Sequence, residues 1–268
     1  YFSSYIFFRP TATMKQLLLE PCFIFILLLI SITNTPTCLC VDDADYTDCS
    51  NAFSCGNNNF NLKYPFWGEN RGNHCGGTNL ESEKLTFEAN VPKITINLIK
   101  YRVLGWENTS QILKVARDDY WDNVCVSGGR NSTFDNTPFQ YDYGGLVNVT
   151  LFYDCPSSSP PTISTNPPSS VFTFPCGGGS FVYYTVQPLP SSYESPCKIV
   201  VSPIFQTNNN SLDTSNGISE ALQGGFGIEW TGNYEECKKC TDSGGECGSL
   251  DGNFQCFCKD GPHSASCK

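Results

Sequence analysis

Cysteine is the residue that most constrains how this chain can fold. Thirteen of its sixteen cysteines lie after residue 40. This density is typical of extracellular proteins, in which disulfide bonds replace part of the hydrophobic core. The sequence therefore predicts a disulfide framework formed in an oxidising compartment. The pairing of the first seven of these cysteines stays open: Cys49, Cys55, Cys75, Cys125, Cys155, Cys176 and Cys197.

The amino-terminal segment has the features of an export signal. Met14 is the only methionine, so residues 1–13 are interpreted as upstream sequence or a cloning artefact. A charged residue, an apolar run and small residues ending at Cys40 predict a signal peptide over residues 14–40. The apolar run, about eleven residues, is shorter than the roughly twenty needed to span a bilayer. A signal anchor is the alternative, and no later stretch is long and apolar enough to span.

The charge of the chain excludes some partners. The formal net charge is −10, and an acidic leader at 41–48 carries four aspartates and no base. This balance argues against binding to nucleic acid or to an anionic membrane. A local basic patch can still bind an anionic ligand, because salt screens charges beyond about 8 Å.

Four N-glycosylation sequons agree with an extracellular location. Each has asparagine followed two residues later by serine or threonine. The asparagines are Asn108, Asn131, Asn148 and Asn209.

Apolar alternation predicts a mainly β fold. Alternating residues at 85–89, 94–98 and 147–153 are typical of short strands with one buried face. The apolar positions change parity after residue 98, which predicts a bulge or bend there. A single helical turn is predicted around 116–121. The second half of the chain adds predicted strands at 171–175, 181–186, 198–205 and 226–230, and a helix at 218–223 ended by Gly224 and Gly225.

A proline-rich segment at 156–170 is predicted to be a linker. The expected fold class is therefore a mainly β, disulfide-rich, extracellular protein with two modules, at 49–155 and 171–268. The second module ends in a regular cysteine pattern at 237–267, Cys-x2-Cys-x6-Cys-x8-Cys-x-Cys-x8-Cys.

This cysteine tail has two interpretations. Cys-x2-Cys is a common zinc-binding spacing, but oxidation is favoured in a secreted chain. The later Cys-x-Cys step resembles an EGF-like module. That resemblance implies three disulfide pairs, Cys237–Cys247, Cys240–Cys256 and Cys258–Cys267. No metal site and no cofactor are predicted.

The sequence offers little for catalysis. Its two histidines, His74 and His263, lie in different modules, and no Gly-x-Ser-x-Gly motif or metal-spaced histidine pair is present. Asp118 and Asp119 are adjacent, so their side chains should point apart as a solvated surface. We therefore predict no catalytic residue.

The mature chain as a whole resembles the ectodomain of plant wall-associated and leaf-rust-resistance-type receptor-like kinases. The first module resembles their galacturonan-binding domain, and the second resembles their C-terminal wall-associated-kinase domain. The motifs that carry this resemblance are Phe53-Ser-Cys-Gly, Tyr64-Pro-Phe-Trp-Gly, Cys75-Gly, Val115-Ala-Arg-Asp-Asp-Tyr-Trp, Leu151-Phe-Tyr-Asp-Cys, Gly225-Phe-Gly-Ile-Glu-Trp, Ser243-Gly-Gly-Glu-Cys-Gly and Phe254-Gln-Cys-Phe-Cys.

The sequence departs from the family in two places. The family has a further cysteine soon after Cys75-Gly, and here it is absent, which makes Cys75 a candidate free or mispaired thiol. The family continues into a transmembrane helix and a kinase, but this sequence has no Gly-rich loop, catalytic lysine or His-Arg-Asp loop. We expect no enzymatic activity. The expected location is the cell wall or apoplast, or the plasma membrane if the chain is part of a longer receptor.

The resemblance implies binding to pectin, whose galacturonate units each carry a carboxylate. Arginine and lysine bind carboxylates, and sugar rings stack on tryptophan and tyrosine. The predicted ligand-binding residues are Lys63, Tyr64, Trp67, Arg71, Lys100, Arg102 and Arg117.

Lys100 and Arg102 should share one strand face, although such a pair can also be ordinary solvated surface. Calcium held by the aspartates at 42–48 is a second route to pectin. The rival hypothesis is a secreted, kinase-less interaction protein that binds receptor ectodomains or a defence ligand and has little affinity for sugar.

Overall fold

Short antiparallel strands make up most of the fold. The structure is a computed structural model that describes residues 41–55, 58–59, 61–78, 80–125, 129–156, 161–163, 170–205 and 211–268. The predicted signal peptide, most of the predicted linker and Asn209 lie outside these residues. Residues 42–268 form one compact unit. No helix among the described residues is long and apolar enough to cross a membrane.

The strands are β1 (Ser54–Cys55), β2 (Asn58–Asn59), β3 (Leu85–Glu88), β4 (Val91–Ile96), β5 (Ile99–Glu107), β6 (Ile112–Arg117), β7 (Phe139–Tyr141), β8 (Leu146–Tyr153), β9 (Phe172–Pro175), β10 (Phe181–Thr185), β11 (Lys198–Phe205), β12 (Phe226–Trp230), β13 (Glu246–Leu250), β14 (Asn253–Cys258) and β15 (Gly261–His263). The helices are α1 (Ala44–Ser50), α2 (Leu80–Glu83), α3 (Ser215–Gly224) and α4 (Tyr234–Asp242), with 3₁₀ turns at Asn73–Cys75 and Asp118–Tyr120. The predicted mainly β class is confirmed.

Three larger sheets and the β1–β2 pair contain these strands. Sheet A has six strands in the order β3-β4-β5-β6-β12-β7. Sheet B has the order β11-β8-β10-β9, and sheet C has the order β13-β14-β15. Neighbouring strands are antiparallel throughout.

The two halves of the chain share sheets A and B. Strand β12, from the second half, pairs with β6 and β7 from the first. Strand β8, from the first half, lies between β10 and β11 from the second. The proline-rich segment at 156–170 therefore connects strands of one unit and does not divide two cores. A proline-rich sequence pattern carries no information about which edge a later strand will pair with.

Two of the four hydrophobic clusters among the described residues make up most of the core. The first lies on the inner face of sheet A, where Ile94, Tyr101 and Val115 pack with the tail cysteines Cys240 and Cys256. In the second, sheet B packs against helix α3. Each fully buried large apolar side chain contributes about 1.5–3 kcal/mol to folding. Because the tail cysteines belong to the first cluster, the cysteine tail is part of the main core.

The change of apolar parity at residue 98 marks a hairpin, so the predicted bulge or bend is wrong there. Asn97 and Leu98 connect β4 to β5 with φ angles of 48° and 65°. A two-residue loop with both φ angles positive matches the twist of the strands it joins. The Asn97 side-chain amide donates hydrogen bonds to the carbonyls of Thr133 (3.0 Å) and Asp135 (3.2 Å). The turn was not predicted because its second position is a leucine, which is not a typical turn residue. The irregularity of β5 lies further along the strand, between Val103 and Gly105.

Helix α3 follows its local signals closely. The Thr214 hydroxyl accepts a hydrogen bond from the Gly217 amide (3.1 Å), which caps the amino end. Gly225 ends the helix with φ of 68°, and a Cβ there would lie 2.0 Å from the Val115 carbonyl oxygen. The predicted helix and its glycine stop are confirmed. Helices α1 and α4 were not predicted, because their short polar sequences carry no apolar periodicity.

Six disulfides cross-link the described residues. In the tail they join Cys237 to Cys247, Cys240 to Cys256 and Cys258 to Cys267, the pairs that the EGF-like resemblance implies. The other three are Cys49–Cys75, Cys125–Cys176 and Cys155–Cys197. Cys75 is therefore disulfide-bonded, and its prediction as a free thiol is wrong. These six disulfides account for twelve of the thirteen cysteines after residue 40. The remaining one is Cys55, whose side chain lies outside the described part of the chain.

Candidate functional site

Basic side chains collect on the outer face of sheet A. Strand pairing places Lys93 opposite Arg102, and Thr95 opposite Lys100. On the next strand, Lys114 lies opposite Gly105. Because alternate residues of a strand point to the same side, these lysines and Arg102 share one face while Ile94 and Tyr101 are buried on the other. We call this surface the basic face, and its members are Lys93, Lys100, Arg102 and Lys114.

Two carboxylates link three of these cations into a chain of ion pairs. Lys100 Nζ lies 2.6 Å from a Glu88 oxygen, and Lys93 Nζ lies 3.2 Å from the other. Lys93 Nζ also lies 2.8 Å from Asp118, whose second oxygen accepts a hydrogen bond from Arg102 Nε at 2.7 Å. The order along the chain is Lys100, Glu88, Lys93, Asp118 and Arg102, with three cations for two anions. One positive charge is therefore in excess.

The pKa values follow this pairing. Hydrogen bonds from Lys100 and Lys93 hold the pKa of Glu88 below its ordinary value. The hydrogen bond with Asp118 raises the pKa of Lys93, although burial opposes this shift. Glu88 and Lys93 are therefore both charged at neutral pH. The network keeps its cations in place without neutralising all of them.

An aromatic contact at Arg102 and an open surface at Gly105 complete the basic face. The Arg102 guanidinium lies 4.4 Å from the ring centroid of the half-buried Trp121. Such a contact contributes about 0.5–1 kcal/mol at a partly exposed site and holds the arginine in place. A Cβ at Gly105 would meet nothing within 4 Å, so the surface beside Lys114 is open. Lys114 is exposed and has no ion pair with another described residue.

A cleft of about 340 Å³ adjoins Lys100. Its other lining residues include Leu98, Arg117, Asp118, Asp119 and Arg130. Asp118 and Asp119 have different ion-pair partners, Arg102 for Asp118 and Arg117 for Asp119, so neither is simply solvated surface.

Arg117 is buried within the wall of this cleft. It is 2% exposed and makes two hydrogen bonds to Asp119, Nη2 to Oδ2 at 2.7 Å and Nε to Oδ1 at 3.0 Å. It also donates a hydrogen bond to the Arg130 carbonyl and lies over the Tyr120 ring. Burial works to lower the pKa of Arg117, but its hydrogen bonds to Asp119 raise it overall. Arg117 is therefore committed to internal partners.

The other predicted ligand residues lie in the amino-terminal stretch, 61–77, and do not join the basic face. Lys63 forms an ion pair with Glu246 at 3.2 Å. Tyr64 is buried edge-on against Trp230, and burial raises the pKa of its hydroxyl. Trp67 is half-buried, with Lys84 Nζ 5.0 Å from its ring.

Arg71 is almost fully buried, as Arg117 is. It is 2% exposed, and its guanidinium donates hydrogen bonds to the carbonyls of Phe66 (3.1 Å), Cys49 (2.8 Å) and Asn51. It therefore ties together the backbone of the stretch in which the sequence placed a binding site.

Sequence reasoning missed four contributors to the site. Glu88, Lys93, Lys114 and Asp118 were not among the predicted ligand residues. For Lys93 and Lys114 a signal existed, because each has the same strand parity as the solvent-facing residues around it. The role of Asp118 depends on contacts with strands that lie 16 and 25 residues away in sequence.

The acidic leader is also paired within the protein. The Asp43 side chain accepts hydrogen bonds from the amides of Asp45 and Tyr46 and caps helix α1. Asp45 and Asp48 lie 3.6 Å and 3.0 Å from His74 Nε2. Asp42 lies 3.4 Å from Lys259. Among the described residues, the clusters with metal-ligand spacing are built on cysteines already in disulfides, which gives the zinc interpretation of the tail no support.

Three predicted glycosylation sites lie in the described part of the chain. Asn108, Asn131 and Asn148 are all exposed. The Asn131 side-chain oxygen accepts a hydrogen bond from the Val201 amide at 2.9 Å. Glycosylation of these residues stays a prediction.

Comparison with known proteins shows what the chain is similar to in sequence. Residues 178–261 match the family model described as wall-associated receptor kinase C-terminal. Two Arabidopsis thaliana proteins named leaf rust 10 disease-resistance locus receptor-like protein kinase-like, 2.5 and 2.1, are each 28% identical to the chain. The alignments cover 90% and 87% of this chain but only 38% and 37% of those relatives. No solved structure matches.

The chain is therefore similar to receptor-like kinases over most of its length, and this similarity indicates an extracellular or plasma-membrane-associated location. The match of residues 178–261 to the wall-associated receptor kinase model, together with these two similarities, confirms the resemblance seen in the motifs. The chain spans under two fifths of the length of these relatives, so the activity of a whole receptor is not attributed to it.

Proposed function

We propose that the protein binds de-esterified galacturonan in the cell wall through the basic face. The observation that carries this proposal is the excess of cations in the ion-pair network, together with the exposed and unpaired Lys114 beside it. Galacturonan carries one carboxylate per sugar, so neighbouring cations on a flat face can bind successive units.

The strand geometry suits a linear polyanion. Lys100 and Arg102 are two residues apart, which separates their Cα atoms by about 7 Å along the strand. Lys114 extends the row onto β6. Glu88 and Asp118 hold these cations in fixed positions, which lowers the entropy lost when a ligand binds. The carboxylate of a uronate that binds Lys100 competes with Glu88 for the same ammonium group, so each single contact should be weak. The affinity should therefore rise with the number of sugar units in the ligand.

Replacing Lys100 and Lys114 together by alanine should weaken binding of hexagalacturonate about tenfold. Exposed ion pairs contribute about 0.2–1 kcal/mol each, and 1.4 kcal/mol corresponds to a factor of ten. Calorimetry on the purified chain measures the affinity. The matched control is Lys238→Ala with Lys239→Ala on helix α4, which removes the same charge from the tail. An equal loss in the control would contradict the proposal, since it would show only an effect of net charge.

Calcium bridging through the leader is the alternative route to the same ligand. Binding that survives a chelator is attributable to the basic face, and binding that disappears is attributable to the bridged route.

A protein-interaction function is the second candidate. Leu98 favours it, because this leucine is 76% exposed at the tip of a hairpin held by Asn97. Truncation at 156–170 cannot separate the two functions, since β8 and β12 pair across that segment. Calorimetry with hexagalacturonate on the unmodified chain can separate them, because a protein-binding function predicts little affinity for this sugar.

A further inference from the structure

A second cleft lies at one end of sheet B. It encloses about 650 Å³ between the end of β8 and the start of β10. It shares no lining residue with the cleft beside Lys100. The residues that decide its chemistry are Asp154, Gly178, Gly179, Ser180, Phe181 and Tyr183.

Two aromatic side chains form one wall of this cleft. Phe181 and Tyr183 are alternate residues of β10, so they share one face about 7 Å apart. Phe181 is 51% exposed and Tyr183 is half-buried. About half of the Phe181 side chain is therefore in contact with solvent, and its ring can present a flat apolar surface to a ligand.

Disulfides and hydrogen bonds hold both walls in place. Cys125–Cys176 and Cys155–Cys197 fix the chain on either side of the cleft. The loop between β9 and β10 is closed by hydrogen bonds from the Cys176 amide to the Ser180 carbonyl and from the Ser180 amide to the Gly177 carbonyl, each 3.0 Å. The glycines of this loop have positive φ, and a Cβ on any of them would meet nothing within 4 Å. The site is therefore preorganised, with an open rim.

The charge of the cleft selects against acidic ligands. Among the described residues that line the cleft there is no lysine and no arginine, and Asp154 is exposed. A carboxylate repels a uronate but accepts hydrogen bonds from hydroxyl groups. Peptides commonly bind by adding a strand to a sheet edge, but β10 is an inner strand, since β9 and β11 are the edges of sheet B. Flat rings beside hydroxyl-binding groups fit a sugar chain better than a peptide.

We infer that this cleft binds a neutral polysaccharide, with pyranose rings against Phe181 and Tyr183 and hydroxyl groups hydrogen-bonded to Asp154 and Ser180. This site is separate from the basic face, and nothing in it depends on galacturonan binding. The protein would then contact two chemical classes of cell-wall polymer through different surfaces.

Calorimetry with cellohexaose, xylohexaose and mannohexaose tests this inference on the full chain. At least one of these neutral sugars should bind, and Phe181→Ala should weaken that binding about fivefold, which corresponds to about 1 kcal/mol. Tyr183→Ala should have a similar effect. Binding of hexagalacturonate should not change in either variant.

The control is Phe205→Ala, because Phe205 is 42% exposed on β11 of the same sheet but does not line the cleft. The control should bind the neutral sugar like the unmodified protein. The inference is overturned if no neutral hexasaccharide binds, or if Phe205→Ala weakens binding as much as Phe181→Ala.

Discussion

Replacing Arg71 by methionine should lower the free energy of unfolding by at least about 3 kcal/mol. The guanidinium donates hydrogen bonds to the carbonyls of Phe66, Cys49 and Asn51, and a longer contact reaches Cys75 at 3.4 Å. Each buried carbonyl that loses its donor costs about 1–3 kcal/mol, and methionine restores only the apolar stem. Burial lowers the pKa of Arg71 to about 10, so the group is still protonated at neutral pH.

Urea unfolding measures this effect, with Arg130→Met as the control, since Arg130 is an exposed arginine. We expect the control to change stability by less than about 0.5 kcal/mol. If Arg71→Met leaves stability unchanged and instead abolishes ligand binding, Arg71 is a ligand residue and the structural role assigned to it is wrong.

Removing the Cys240–Cys256 disulfide should destabilise the whole unit and not only the tail. The bond joins residues separated by 16 in sequence, and closing such a loop is worth about 3 kcal/mol. Both cysteines are fully buried in the same cluster as Ile94 and Tyr101 of sheet A. The variant Cys240→Ala with Cys256→Ala should therefore lower the stability of sheet A as well.

Thermal unfolding followed by tryptophan fluorescence and by far-ultraviolet circular dichroism tests this claim. We expect one transition that shifts to lower temperature with both probes. Cys258→Ala with Cys267→Ala is the comparison, because Cys267 is only partly buried and packs at the margin of the cluster. Two separate transitions in the first variant would show that the tail is an independent module, contrary to the shared core.

Local sequence signals predicted the parts of the fold that depend on local interactions. The glycine stop of α3 and the strand at 198–205 follow from capping and alternation within a few residues. The position of β12 in sheet A could not be predicted, because pairing with β6 joins residues more than a hundred positions apart. The hydrogen bond from Trp230 Nε1 to the buried Glu83 carboxylate (2.8 Å) could not be predicted for the same reason, since it also joins residues far apart in sequence.

The candidate site shows the same division. Alternation along β5 correctly placed Lys100 and Arg102 on the face opposite Tyr101. Alternation could not reveal that Arg71 and Arg117 are buried, because the carbonyls and the carboxylate that satisfy them are reached only through the fold. The local sequence around an arginine does not show whether its side chain hydrogen-bonds to water, to a ligand or to backbone carbonyls.

Binding of the purified chain to de-esterified and to methyl-esterified pectin, measured across a salt series, tests galacturonan recognition most directly. Methyl esters remove the carboxylate charge but keep the sugar chain. We predict binding to the de-esterified polymer alone, lost as salt rises toward about 1 M, where the screening length falls to about 3 Å. Equal binding to both polymers, or binding that salt does not weaken, would contradict recognition through the basic face.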